Sequence, residues 1–157
     1  MSKATISKQE AFQVIEKFNQ LNASRAPIAE FVNLIDIENF EIRLQGSNIF
    51  FKGIAGLADH QIGKQIFFDQ SFDCEFIHSH MENDQMIVET KGVWYAKTWQ
   101  YPAAYSQQLI ADLRHTWRLE KQSDGHLLIV SHVCEHFAYR EGYSPTDHTQ
   151  EFHLLLK

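Results

Sequence analysis

Gln107-Gln108-Leu109-Ile110-Ala111-Asp112-Leu113-Arg114-His115-Thr116-Trp117-Arg118-Leu119-Glu120-Lys121 is the stretch whose reading decides the fold. Leu109, Ala111, Leu113, His115, Trp117 and Leu119 occupy its odd positions. Asp112, Arg114, Arg118 and Glu120 occupy the even ones. A period of two means a strand with one buried face and one wet face. His115 therefore points into the protein.

Three further segments read the same way: Gln70–Glu82, Gln85–Trp99 and His126–Tyr139. The connections Glu82-Asn83-Asp84, Gln100-Tyr101-Pro102 and Ser123-Asp124-Gly125 carry turn chemistry. Long strands with short links predict an antiparallel meander. In the second segment Met86, Val88, Thr90, Gly92, Trp94 and Ala96 face inward. In the first, Phe72, Cys74 and Phe76 do, taking His78 and His80 with them unless a bulge intervenes. The last segment has two solutions. An even-length turn puts His132 inside, the preferred reading; a three-residue loop with Gly125 left-handed puts Glu135 inside.

Upstream, Ser7-Lys8-Gln9-Glu10 is a capping box, followed by Phe12, Ile15, Phe18 and Leu21 at helical spacing. This predicts a helix from Ser7 to Asn22. Pro27 sits where a second helix tolerates it, with Ile28, Phe31, Val32 and Ile35 as its apolar face. Phe40–Leu44 and Ile49–Phe51 read as short strands, and Leu57–Phe68 as a third helix. Three N-terminal helices packed on a strongly curved antiparallel meander make an α+β cone with an internal pocket. The chain reads as one domain over residues 1–157. Ser144-Pro145-Thr146-Asp147 starts a further helical pattern, so residues 145–157 are expected to form a lid or a dimer contact.

The totals narrow the function. The chain has 157 residues, 44% hydrophobic and 13% aromatic, and a formal net charge of −6. Scattered Lys and Arg with no basic block disfavour nucleic acid and membrane surfaces as partners. No apolar run is long enough to span a bilayer. Absence of a leader pattern predicts a cytoplasmic setting with Cys74 and Cys134 as free buried thiols.

The order of elements resembles the nuclear transport factor 2-like superfamily, which includes the SnoaL-like polyketide cyclases. The resemblance runs from Ser7 to Tyr139. It is carried by the capped first helix, Phe40-Glu41-Ile42, Ile54-Ala55-Gly56-Leu57, and Arg114-His115-Thr116-Trp117-Arg118 followed by Asp124-Gly125 and Ser131-His132-Val133. Leu127 departs from it, where many relatives carry Trp. The resemblance implies a cone with a central cavity. It implies no single reaction, because the fold hosts isomerases, dehydratases, cyclases, hydrolases and non-catalytic domains.

Candidate site residues follow. His115, with His132 or Glu135, is the expected proton-transfer group; the resemblance to cyclases with a carboxylate on the last strand is what brings in Glu135. Phe76, His78, Trp94 and Trp117 are expected to line the pocket. Each has a plainer reading: a core imidazole for His115, an ion pair with Arg114 or Arg118 for Glu135, ordinary core for the tryptophans. His78 and His80 are spaced for one metal, but no Cys or carboxylate cluster and no HExxH accompany them, so no metal and no cofactor is assigned. The expected ligand is small and apolar or aromatic. Ile87, Val93, Tyr95 and Trp99 on the outer face predict a homodimer.

Overall fold

Ser7 opens the first helix as read. Its hydroxyl accepts from the Glu10 N–H at 3.1 Å, and the Glu10 carboxylate accepts from the Ser7 N–H at 2.9 Å. In the computed structural model, which describes residues 5–48, 50–63, 66–99 and 106–145, helix α1 spans Lys8–Ala23. Ala11, Ile15, Phe18 and Leu21 form its buried stripe. Lys121 donates to the Thr5 carbonyl at 2.9 Å and to Glu10 at 3.1 Å, pinning the start of α1 to the far sheet.

The three-helix expectation is corrected: the described residues hold two α-helices. After Pro27 there is only a single 3-10 turn, Ile28–Phe31. The backbone groups a longer helix would use are spent on the sheet. Leu34 O accepts from Ile129 N at 2.7 Å, and Asp36 N donates to Ile129 O at 3.1 Å. Asp36 then turns the chain by accepting from the N–H groups of Glu38 and Asn39. Strands β1 (Glu41–Leu44) and β2 (Phe50–Lys52) follow, and α2 spans Gly53–Gly63, starting and ending earlier than the pattern predicts. Gly53, left-handed at φ 69°, opens α2 while its N–H donates to Phe40 O at 2.6 Å, and Gly56 lies inside the helix.

The four long strands are β3 (Phe68–Glu82), β4 (Gln85–Trp99), β5 (Ser106–Lys121) and β6 (Leu127–Tyr139). Their boundaries match the sequence reading to within two residues. They join antiparallel in chain order, and the full sheet runs β2-β1-β6-β5-β4-β3. One pairing departs from a pure meander: β1 lies parallel to β6, with Ile42 opposite His132. Asn83 and Asp84 are both left-handed, at φ 50° and 68°, the geometry of a two-residue hairpin turn.

β4 and β5 pair without interruption from Gln85↔Glu120 to Trp99↔Ser106. The flanking strands are bulged. β3 carries an extra residue between Phe68 and Ser71 and again, at Ile77, between Phe76 and His78. β6 carries extra residues at Val130 and Glu135. Bulges bend and twist a strand, so this curved sheet is bent from its flanks. Gly92 in β4 marks a close approach, since a Cβ there would collide with the Asp73 carbonyl of β3.

Two apolar clusters fill the concave face. One joins α1, the 3-10 turn, α2 and β1 to Met86, Val88, Trp117, Leu119 and Ile129. The other joins Phe67, Trp94, Ala96, Leu109, Ala111 and Leu113. Of the C-terminal lid expected over residues 145–157 only Pro145 is described, and the Gln100-Tyr101-Pro102 turn lies outside the described residues. None of the described helices is long and apolar enough to cross a membrane. Cys74 and Cys134 are free thiols.

Candidate functional site

Between the two apolar clusters the concave face turns polar. Sheet register sets the row: Phe76 of β3 lies opposite Thr90 of β4, Thr90 opposite His115 of β5, and His115 opposite Cys134 of β6. The adjoining row puts Trp117 opposite His132. The imidazoles of His115 and His132 lie with ring centroids 4.3 Å apart. His132 stacks on Trp117 at 4.0 Å and 16°. Phe18 closes from α1, edge-on to His132 at 5.7 Å and to Trp117 at 5.6 Å. Trp117 is fully buried, and its Nε1 donates to the Thr90 hydroxyl at 2.9 Å. His132 is buried and His115 half-buried, so the pair has one enclosed and one approachable member.

Both solutions considered for the last strand occur, over different lengths. Gly125 is left-handed at φ 87° in a loop closed by Gln122 N to His126 O at 2.7 Å. The odd positions Leu127 and Ile129 therefore face in, as that loop demands. The Val130 bulge then brings His132 and Cys134 in, and the Glu135 bulge returns the odd positions Phe137 and Tyr139. Glu135 is exposed at the outer bulge, so the alternative that placed it inside is corrected. It lines an outer-face hollow with Glu89, Arg114, Thr116 and His136.

The inward placement of His78 and His80 is corrected by the Ile77 bulge, which returns both to solvent. His78 Nε2 lies 3.2 Å from a Glu89 oxygen, whose other oxygen pairs with Arg114. His80 lies 3.6 Å from Glu82. No group of three or more His, Cys, Asp or Glu among the described residues is arranged to hold a metal. Phe76 does face inward, but α1 covers it, with Phe12 edge-on at 6.1 Å. Trp94 is fully buried in the second cluster, edge-on to Phe67 at 5.0 Å, and its Nε1 donates to Gln70 at 3.2 Å.

The sequence reading missed the polar partners of this layer. Asn19 and Asn22 of α1 are buried, and Gln61 of α2 donates to Asn22 at 2.8 Å. Asparagines inside an otherwise apolar helical stripe were the available signal. Cys74 sits beside Asn19 and Thr90. Burial pushes its thiol above the ordinary range, and hydrogen bonds from Thr90 and Asn19 oppose that rise.

No family model matches the chain, and no curated protein matches it in sequence. Solved structures do match. A nuclear transport factor 2-like superfamily protein from Salmonella enterica is 12% identical, with a TM-score of 0.65 over 89% of this chain and 95% of that one. A hexachlorocyclohexane dehydrochlorinase, LinA type 2, is 12% identical, at 0.66 over 88% and 94%. A ketosteroid isomerase-like protein from Erwinia carotovora is 12% identical, at 0.58 over 83% and 97%. At these identities it is shape that is shared, and the chain has the nuclear transport factor 2-like fold.

Proposed function

We propose that the protein binds a small, largely apolar or aromatic molecule against the concave face beside His115, and that His115 and His132 move a proton on it. The observation that carries this reading is the imidazole pair at 4.3 Å, held on the Trp117 ring between two apolar clusters. Two imidazolium ions that close would repel one another, so the two rings are not both charged at once. Such a pair supplies a base and an acid together. Proton removal next to a carbonyl or a leaving group fits isomerisation, elimination or cyclisation, and none of these needs a cofactor. A dehydrochlorinase and an isomerase-like protein among the structures of this shape support that class. Glu135 and His78, both on the outer face, have no part in it. The proposed setting is cytoplasmic.

Deuterium uptake by a panel of cyclic ketones, followed by NMR, tests the proposal. The protein is expected to accelerate exchange of the acidic C–H, with H115A lowering the rate about 100-fold or more, the usual contribution of a general base. Because His115 is half-buried, H115A should stay folded. Acceleration unchanged in H115A, or none across the panel, rejects proton transfer.

A second reading, a homodimer through the outer face, is compatible with the first. It is favoured by Trp99 and Ile77, which are 63% and 37% exposed on that face.

A further inference from the structure

A cleft of about 660 Å³ runs between α1 and β3, and its inner residues Asn19 and Cys74 border the polar layer that holds the imidazole pair. Gln13, Glu16, Lys17, Gln20 and Ser24 stand on its helix side, a single face at helical spacing. Gln70, Ser71, Phe72 and Cys74 form the strand side. β3 ends the sheet, so no strand pairs with its outer edge among the described residues.

The chemistry of this lining is unusual for a solvated helix flank. Four of its lining side chains are carboxamides: Gln13, Asn19 and Gln20 from the helix and Gln70 from the strand. Each offers both a donor and an acceptor and carries no charge. Glu16 and Lys17, the charged lining residues, cancel one another. Gln70 is the built element. It belongs to the first bulge of β3, and bulges re-aim side chains. Its Oε1 accepts from the fully buried Trp94 indole at 3.2 Å, which fixes which way round the amide lies. Its Nε2 is shielded from solvent and has no hydrogen-bond acceptor among the described residues. An unspent buried donor is costly, and it is relieved by an acceptor brought from outside.

We propose that this cleft is a binding site for an uncharged molecule bearing a carbonyl or hydroxyl oxygen. The oxygen takes the Gln70 Nε2 donor, the helix carboxamides bond the remaining polar atoms, and Phe72 packs on the apolar part. This goes beyond the proton-transfer reading and does not depend on it.

The indole N–H resonances of the three tryptophans separate the two sites in one NMR titration. Trp94 is bonded to Gln70 and reports the cleft; Trp117 is bonded to Thr90 and reports the imidazole pair; exposed Trp99 is the reference. The probes are small neutral amides, ketones and alcohols at millimolar concentration, each beside its carboxylate analogue. Trp94 is expected to shift with neutral members and at least tenfold more weakly with the carboxylates. Gln70→Glu keeps an acceptor for Trp94 but loses the donor, and should weaken binding about tenfold, the loss of one good hydrogen bond. Gln20→Ala, on the exposed helix face, should weaken it about threefold without touching the core. No shift of Trp94 with any probe overturns the cleft site, as does equal affinity in both variants. A panel that moves Trp117 alone leaves the His115 reading standing while the cleft fails.

Discussion

At the scale of single residues, Thr90 holds the site together. It accepts from Trp117 Nε1 at 2.9 Å and sits opposite His115. Thr90→Val keeps the shape and removes the acceptor, leaving a buried indole N–H unpaired. Chemical denaturation should show a loss of about 1–3 kcal/mol, with the Trp117 N–H resonance displaced. Cys74 gives a second expectation. Burial raises its pKa, so the folded protein holds the proton longer than the unfolded chain does. Stability tied to this thiol is therefore complete below the ordinary thiol value of about 8.5 and is lost as pH rises through the higher folded value. Iodoacetamide labelling followed by mass spectrometry should be slower at neutral pH than for an ordinary thiol and climb only at higher pH than an ordinary thiol needs. Labelling at neutral pH as fast as that of a free thiol would contradict it. His115 was legible because every neighbour in its strand alternates. His78 was not, since the Ile77 bulge that turns it outward leaves no mark in an alternating sequence.

Among the elements, α1 owes its start to the capping box and to Lys121. Ser7→Ala should cost about 1 kcal/mol, the usual value of an N-cap, read as a shift in the urea midpoint with unchanged slope. The Ser7 N–H bonded to it, helped by Lys121 and opposed by partial burial, holds Glu10 below the ordinary carboxylate range. A depressed carboxylate contributes stability above its unfolded pKa, which drains away as pH falls through the folded one. Acid titration of Glu10→Gln should thus lose less stability below about pH 4.3 than the parent. The strands were legible nearly to their ends, because alternation and turn residues both mark them. The second helix was misread for a tertiary reason. Leu34 and Asp36 give their backbone groups to Ile129, a partner almost a hundred positions away that no local pattern announces.

For the whole molecule, the two faces of the sheet divide the work. The concave face carries the clusters and the imidazole pair. The outer face is laced with exposed ion pairs, among them Arg114–Glu89, Lys91–Glu75 and Arg140–Asp112. Such pairs contribute little each; apolar Ile77 and Trp99 stand among them. If this face joins two copies, light scattering at micromolar concentration gives a dimer mass, and Trp99→Lys with Ile77→Lys gives a monomer of unchanged circular dichroism. A monomer mass for the parent would remove that interface. The fold as a whole was legible from the order of its elements. The polar layer between the clusters was legible only in pieces, as His115 in its strand and the asparagines of α1, because its assembly from α1, α2 and the sheet is set by tertiary packing.

The bulges at Val130 and Glu135 also bear on how this chain tolerates change in length. Loss of one residue inside a strand ordinarily turns every later side chain over to the other face. Here each bulge residue is surplus to the pairing: Ile129 and Ser131 already face consecutive partners, Leu119 and Arg118, as do Cys134 and His136 across from His115 and Arg114. Deleting Val130 or Glu135 leaves His132 opposite Trp117 and every other partner where it was. What is lost is slack, the additional length of chain that lets β6 travel around the bend while β5 takes the inside track. Deletions at these positions would straighten the sheet without scrambling it.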